Sequence, residues 1–291
     1  MKHEIDFVKC NPTQNMTILV KTYLPAREHK LIAAKMMSYN HLYAEQVGFI
    51  ERPGKSGAEA RLQMAGGEFC GNACMALAAL AASEKEMCSG DFTEIVLEAS
   101  GTEQLVACQV EKSGELYRCR LTMPIPLKVD RKTITFEGVD LNLVLVKYAD
   151  FLHIVIETDL FDETVRNKAQ SLARLLGTIT EADVIGILLF NPDTNELAPL
   201  IYVPSIESMI WERGCGSGTA SIGAFLSWRS RGAVSAQIKQ PGGIMNVTAE
   251  WAGDEITSLH IQGSVEIVAQ GKAFIEGYLY NPDWSEMSEG V

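Results

Sequence analysis

Two cysteines of this 291-residue chain, Cys70 and Cys215, stand in matched settings. Cys70 opens the string CGNACMALAALAA and Cys215 the string CGSGTASIGAFLSW. In each, glycine and a polar residue follow, then small apolar residues, which places a thiol at the start of a buried helix. A free thiol has a pKa of about 8.5, and the unpaired amides and positive dipole end of a helix favour its thiolate. Gly71, Gly216 and Gly218 lack a Cβ, so the backbone there can approach a ligand closely. With the amides of Asn72, Ser217 and Thr219 they predict a cradle for a carboxylate. If the two elbows face each other, one sulfur removes an α-proton while the other delivers a proton to the opposite face. That inverts a stereocentre, and the two-fold arrangement lets it run in both directions.

Other uses of these residues fit less well. A cysteine beside a buried helix often packs as a small hydrophobe, which is the reading for Cys74. Zinc would need more donors: Cys70 and Cys74 sit at i and i+4, but no His or Cys follows at ligand spacing. GCGSGTAS lacks the Lys-Ser/Thr ending of a P-loop. It also has Thr219 and Ser221 where a dinucleotide fingerprint requires Gly or Ala. Neither a metal nor a cofactor is expected.

The elements that must position these thiols are mostly short strands. MTILVKTY from Met16, TEIVLEA from Thr93, EQLVACQV from Glu103 and LYRCRLTM from Leu116 are examples. FLHIVIE from Phe151, VIGILLF from Val184 and LIYVP from Leu200 continue the series. All are rich in Val, Ile, Thr and aromatics, with Gly, Pro or Asp between them. Amphipathic periodicity predicts helices over Ala26 to Tyr39 and Asp162 to Leu176. The two cysteine-led segments are apolar on nearly every side, and such a helix must be buried all round. Arg229, Arg231 and Gly232 form an expected C-terminal end for the second. The reading is an α+β protein of two pseudo-symmetric domains, each a mostly antiparallel sheet or barrel wrapped around a central buried helix. The 145-residue spacing of the cysteines, about half the chain, suggests internal duplication. The expected boundary is the MPIPL turn, giving domains 1–127 and 128–291, with a strand near 265–280 returning to the first. The acidic tail after Tyr280 is expected to be mobile.

Composition narrows the class. Lys and Arg total 25 against 37 Asp and Glu, a net charge of −12, which argues against a nucleic-acid or anionic-membrane surface. ACMALAALAA and VIGILLF are too short to span a bilayer. MKHEIDFVKC carries charges where a signal peptide needs an apolar run. The seven cysteines are odd in number and irregular in spacing, against a disulfide framework. A cytoplasmic protein is expected.

Beyond the elbows, further segments resemble the diaminopimelate epimerase superfamily of cofactor-independent racemases and epimerases. FVKCNPTQN looks like its F-x-K…N start, with Asn15 at the substrate-binding Asn. YAEQVGFI looks like its A-D-Q strand, with Glu45 in place of Asp and Gln46 retained. FLHIV looks like the N-P-H-x-V element, with His153 at the active-site His. WERGCGSGTA looks like a shortened second cysteine loop, with Glu212 and Arg213 at its Glu-Arg pair. Together with EQVGFIE, GGEFCGNACM and GKAFIEG, these blocks run from residue 7 to 277. They most resemble the histidine racemases of staphylopine-type metallophore biosynthesis.

The resemblance implies roles. Cys70 and Cys215 would be the two acid–base residues, with His153 and Glu212 near the thiols to tune their protonation. Asn15, Asn72, Gly71 and the 216–219 amides would hold the α-amino and α-carboxylate groups, with Gln46 beside them. Glu45 would be a polar site residue contacting the imidazole. A homodimer is implied. Phe151 replaces the N-P-H Asn, and both cysteine loops are shortened, against diaminopimelate as substrate; Arg213 points the other way. Diaminopimelate, proline and hydroxyproline stay open beside histidine.

Overall fold

The computed structural model describes residues 2–180 and 182–276; the tail after Tyr280 lies outside them. The first half runs β1 (Lys2–Pro12), β2 (Thr17–Val20), α1 (Ala26–Met37), β3 (Gln46–Glu51), β4 (Ala60–Met64), α2 (Gly71–Ser83), β5 (Phe92–Ala99), β6 (Val106–Ser113) and β7 (Leu116–Thr122). The second runs β8 (Lys128–Phe136), β9 (Val139–Lys147), β10 (Phe151–Glu157), α3 (Glu163–Ile179), β11 (Val184–Asn191), β12 (Glu196–Val203), β13 (Ser208–Trp211), α4 (Gly216–Ser230), β14 (Val234–Gln240), β15 (Gly243–Ala252) and β16 (Glu255–Glu276).

Strands β1 to β7 pair in sequence order, and β16 pairs with both β7 and β1, so this sheet closes into a ring. The other side of β16 continues through β15, β14, β12, β11, β10 and β9 to β8. One long strand thus serves both sheets. Its start pairs with β15, its middle with β7 and its end, Val265–Glu276, with β1.

The halves share one wiring. In each, a parallel pair is bridged by an outer helix: β2 and β3 by α1, β10 and β11 by α3. A second parallel pair is bridged by an inner helix: β4 and β5 by α2, β12 and β14 by α4. Parallel neighbours need such crossovers, whereas the antiparallel pairs between them are joined by turns. The outer helices are amphipathic, as their periodicity predicts, and pack Ile32 and Met36, or Leu172 and Ala173, onto one sheet face. The inner helices have no polar face. Ala73, Cys74, Met75, Ala76 and Leu77 of α2 and Ala220, Ile222, Ala224 and Phe225 of α4 lie in one continuous core. Small residues let the strands close around each helix.

One expected detail differs. The left-handed cap of α4 is Arg231 itself, at φ 50°, rather than Gly232. The amide of Gly232 and the Ser227 hydroxyl then bond across the turn, Ser227 Oγ to the Gly232 carbonyl at 2.7 Å, which holds the arginine in a conformation ordinarily left to glycine. Among the described residues no helix is long and apolar enough to cross a membrane.

Candidate active site

Both cysteines are helix N-caps. Cys70 has φ −128°, ψ 108° and Cys215 φ −114°, ψ 110°. Each sulfur accepts an amide three residues on: Ala73 N at 3.4 Å for Cys70, Gly218 N at 3.3 Å for Cys215. The matched backbone follows from the matched sequence: an extended cysteine, then glycine and small residues that start a helix without side-chain obstruction. At Gly218 a Cβ would lie 3.1 Å from the Cys215 sulfur, so glycine is what leaves room for the thiol.

The two caps meet across the halves. The Asn72 amide nitrogen donates to the Gly214 carbonyl at 2.8 Å. Asn72 Oδ1 is buried without a hydrogen-bond partner and lies 3.1 Å from where a Gly216 Cβ would be. Ile261, on the shared strand β16, lies between the elbows: its Cδ1 is 3.2 Å from a Cβ built on Gly71 and 3.0 Å from one built on Gly216. Two helix N-termini, each with one opening amide given to its own cysteine sulfur, therefore meet about a single side chain.

Polar residues of both halves reach the thiols. The Cys70 thiol donates to Gln46 Oε1, and Gln46 Nε2 donates to Asn15 Oδ1. Asn15 Nδ2 donates to Glu45 Oε2 at 3.0 Å. Glu212 bonds with both Cys215 and Asn15. Burial raises the Glu45 carboxyl to about 7, opposed by Arg213. It raises Glu212 to about 7 as well, with Glu45 adding to the rise.

The thiols differ from expectation in one respect. Burial pushes Cys70 up to about 12 and Cys215 well above its ordinary value, although the helix amides pull both down. Desolvation of a thiolate outweighs the two amide bonds at Cys70 and the one amide and one hydroxyl bond at Cys215. Burial thus disfavours the thiolate at both sulfurs, and the carboxyl of Glu212 lies against Cys215. Glu68, two residues ahead of Cys70, is likewise raised by burial and opposes a charge on that thiol. The sequence signal for it was the acid placed just before each cysteine.

Other candidate residues hold structural bonds. Thr219 Oγ1 donates to the Cys215 carbonyl at 2.7 Å and accepts from Gln240 Nε2 at 2.8 Å, while Gln240 Oε1 takes the Cys215 amide at 2.7 Å. Gln240, which sequence reasoning passed over, clamps the elbow from β14; no local pattern marks it. Ser217 Oγ lies 3.5 Å from the Cys215 sulfur. Arg213 donates to Gln14 Oε1 at 2.8 Å and to the Pro241 carbonyl at 3.4 Å. His153 bonds Ser221 Oγ at 2.8 Å rather than a thiol. Burial holds its imidazole neutral, at about 3. Phe151, stacked 4.0 Å from Tyr148, closes its apolar surround. Cys74 is fully buried in the core, and all seven cysteines are free.

This fold is shared with amino-acid racemases and epimerases. A hydroxyproline epimerase from Agrobacterium vitis, solved with bound trans-4-hydroxy-L-proline, matches at TM-score 0.71 and 14% identity over 95% of this chain and 94% of that one. A methylitaconate-delta-isomerase matches at TM-score 0.60 and 12% identity over 97% and 99%. Sequence is more specific than fold. The family model described as the histidine racemase CntK N-terminal domain matches residues 4–274. The histidine racemase of Staphylococcus aureus (strain Mu50) is 34% identical over 94% of this chain and 98% of its own length. That of Fusobacterium nucleatum subsp. nucleatum is 30% identical over 93% and 97%. The chain belongs to the histidine racemase family.

Proposed function

We propose that the protein is an isomerase that interconverts L- and D-histidine, with Cys70 and Cys215 as opposed acid and base. What carries the reading is the meeting of two cysteine-capped helix N-termini in a chain of this family. The opening amides of α2 and α4 receive the α-carboxylate. Asn72 Oδ1, a buried acceptor without a partner, receives the α-ammonium. Ionised Glu212 takes the Cys215 proton, the thiolate removes the α-hydrogen, and the Cys70 thiol reprotonates the carbon from the other side. In the reverse direction the sulfurs exchange roles. The carboxylate held at two helix ends stabilises the developing negative charge, so the proton transfers call on no added electron sink.

Arg213 already gives donors to Gln14 and Pro241, and Phe151 in place of the N-P-H Asn favours histidine over diaminopimelate. His153 acts as a neutral core residue behind α4. The unit boundary falls between β7 and β8. From the family resemblance, the protein works in the cytoplasm as a homodimer and supplies D-histidine for an opine metallophore. Light scattering of the purified chain tests the dimer, and cell fractionation tests the compartment.

The deciding experiment incubates reduced protein in D2O with L-histidine, diaminopimelate or L-proline in separate tubes, followed by NMR and chiral chromatography. Deuterium at Cα with D-histidine appearing is the expected result. Exchange of only another amino acid overturns the substrate, and exchange of none overturns the reaction.

A further inference from the structure

The two thiols have unlike partners. Cys215 meets a carboxyl, Glu212, which can take its proton. Cys70 meets an amide, and that amide is the end of a chain. We propose that Glu45, acting through Asn15 and Gln46, sets the protonation state of Cys70.

Donor and acceptor order links the two ends of the chain. An ionised carboxylate can only accept. Glu45 Oε2 therefore draws the Nδ2 of Asn15, which is fully buried. This turns Asn15 Oδ1 toward Gln46, and that oxygen draws Gln46 Nε2. Gln46 Oε1 is left facing the sulfur. An amide oxygen opposite the sulfur requires a donor, so Cys70 must carry its proton. When Glu45 is protonated it can donate to Asn15 Oδ1 instead. Both amides then turn over, Gln46 Nε2 faces the sulfur, and a thiolate is favoured. Each amide passes on polarity, and no proton crosses it. When Cys70 gives its proton to the substrate carbon, Glu45 gains one from water, and the chain reverses with charge balanced at its two ends.

The surroundings leave Glu45 able to change state. Besides Asn15 it faces Arg213, which favours its charge, and Glu212, which shares the Asn15 amide with it and, when ionised, draws that amide in the same sense. Cys70 faces Glu68 and Glu212 as charges, and Cys74 lies beneath it. None of these can replace Gln46, which is the neighbour whose hydrogen-bond sense depends on Glu45. Asn15, Glu45 and Gln46 are thus positioning residues, distinct from the substrate contacts that resemblance assigns them. The catalytic meaning of this chain rests on the racemase reading; the polarity of the chain does not.

The test is a double-mutant cycle read on one thiol. In full-length Cys215→Ser protein, the rate at which iodoacetamide labels Cys70 is followed by peptide mass spectrometry, since only the thiolate reacts. Glu45→Gln frees the head of the chain and is expected to speed labelling of Cys70 up to about tenfold, the worth of one ordinary hydrogen bond. In a Gln46→Met background the same Glu45→Gln change is expected to do nothing, because the last link is gone. Any effect of methionine on access cancels within the cycle. Equal acceleration in both backgrounds would show a direct field effect and overturn the proposal, as would no acceleration in either. Gln46→Leu repeats the cycle should the methionine variant fold poorly. Failure of the racemase reading would show separately, as absent deuterium exchange by the unmodified protein.

Discussion

Replacing Glu212 by glutamine separates what this carboxyl does for the reaction from what its burial costs the fold. Burial is the main cause of its rise from 4.5 to about 7; Glu45 adds to it, and the bonds to Cys215 and Asn15 oppose it. A carboxyl raised in this way binds its proton more tightly folded than unfolded. Between pH 4.5 and about 7 the folded chain holds the extra proton, so stability falls as pH rises through that window. At ~1.4 kcal/mol per pH unit, the full effect by pH 8 is roughly 3 kcal/mol of lost stability. Glutamine keeps an oxygen to accept from the Cys215 thiol and has no charge to bury. Glu212→Gln is therefore expected to match the native chain near pH 4 and to exceed it by about 3 kcal/mol at pH 8. In a chain of this size that is a rise in Tm of roughly 5 °C, read by thermal unfolding at the two pH values.

The same variant is expected to lose activity. In the proposed reaction ionised Glu212 accepts the Cys215 proton, so kcat/KM should rise as pH passes through about 7 in the native protein. Glutamine removes that limb and lowers the rate by about 10²–10⁴-fold, the ordinary worth of a general base. A variant no more stable than native at pH 8, or one that keeps the limb near pH 7, refutes the reasoning.

Cys70→Ser and Cys215→Ser are each expected to cut racemisation by about 10²–10⁴-fold while the circular dichroism spectrum is kept; near-normal turnover by either removes that cysteine from the mechanism. Exhaustive thiol alkylation is expected to abolish activity in step with labelling of Cys70 or Cys215, followed by peptide mapping. Full activity after complete labelling of both would end the thiol mechanism. In Gly218→Ala the new methyl falls 3.1 Å from the Cys215 sulfur and 3.2 Å from Leu188 Cδ2. The displaced thiol is expected to lower kcat by roughly 10²-fold while KM stays near native, and an unchanged kcat would mean the elbow yields without moving its sulfur.

Much of this site could be read from the chain because its constraints are local. A cysteine before glycine and a run of small apolar residues has few places to go except the cap of a buried helix, and both caps are found there. Amphipathic spacing likewise locates α1 and α3 to within a few residues. The unread parts depend on distant partners. A strand near 265–280 returning to the first half is predicted by the sequence; that it is the end of one 22-residue strand, β16, whose first residues pair with β15, is not, and no pattern within it shows the change. The hairpin of β8 and β9 is half exposed, with burial broken along β8, so its apolar periodicity is weak. Gln240 and Gly214 matter only because the fold brings them to Cys215 and Asn72. His153 shows the reverse case: a motif position suggests a role near the thiols, yet its strand turns the ring into the core against Ser221.

The protonation state of the thiols is the point at which local reasoning gives the wrong sign. A helix N-terminus favours a thiolate, but the same closure that brings two N-termini together removes water from both sulfurs, and the second effect is larger. The consequence is an empty site in which the thiolate is disfavoured at both sulfurs. In the proposed reaction a zwitterionic amino acid would change the balance: its carboxylate would occupy the helix amides, and its ammonium would bring a positive charge beside Glu212 and the thiols. A positive charge at that range favours ionisation of neighbouring acids, so the base appears where and when there is an α-hydrogen for it to remove. The two carboxyls held near 7 complete this arrangement, since a proton can be placed on or taken from either at little cost at neutral pH. Burial thus raises both the thiols and the carboxyls, and in the proposed reaction the bound zwitterion would select which of them gives up its proton.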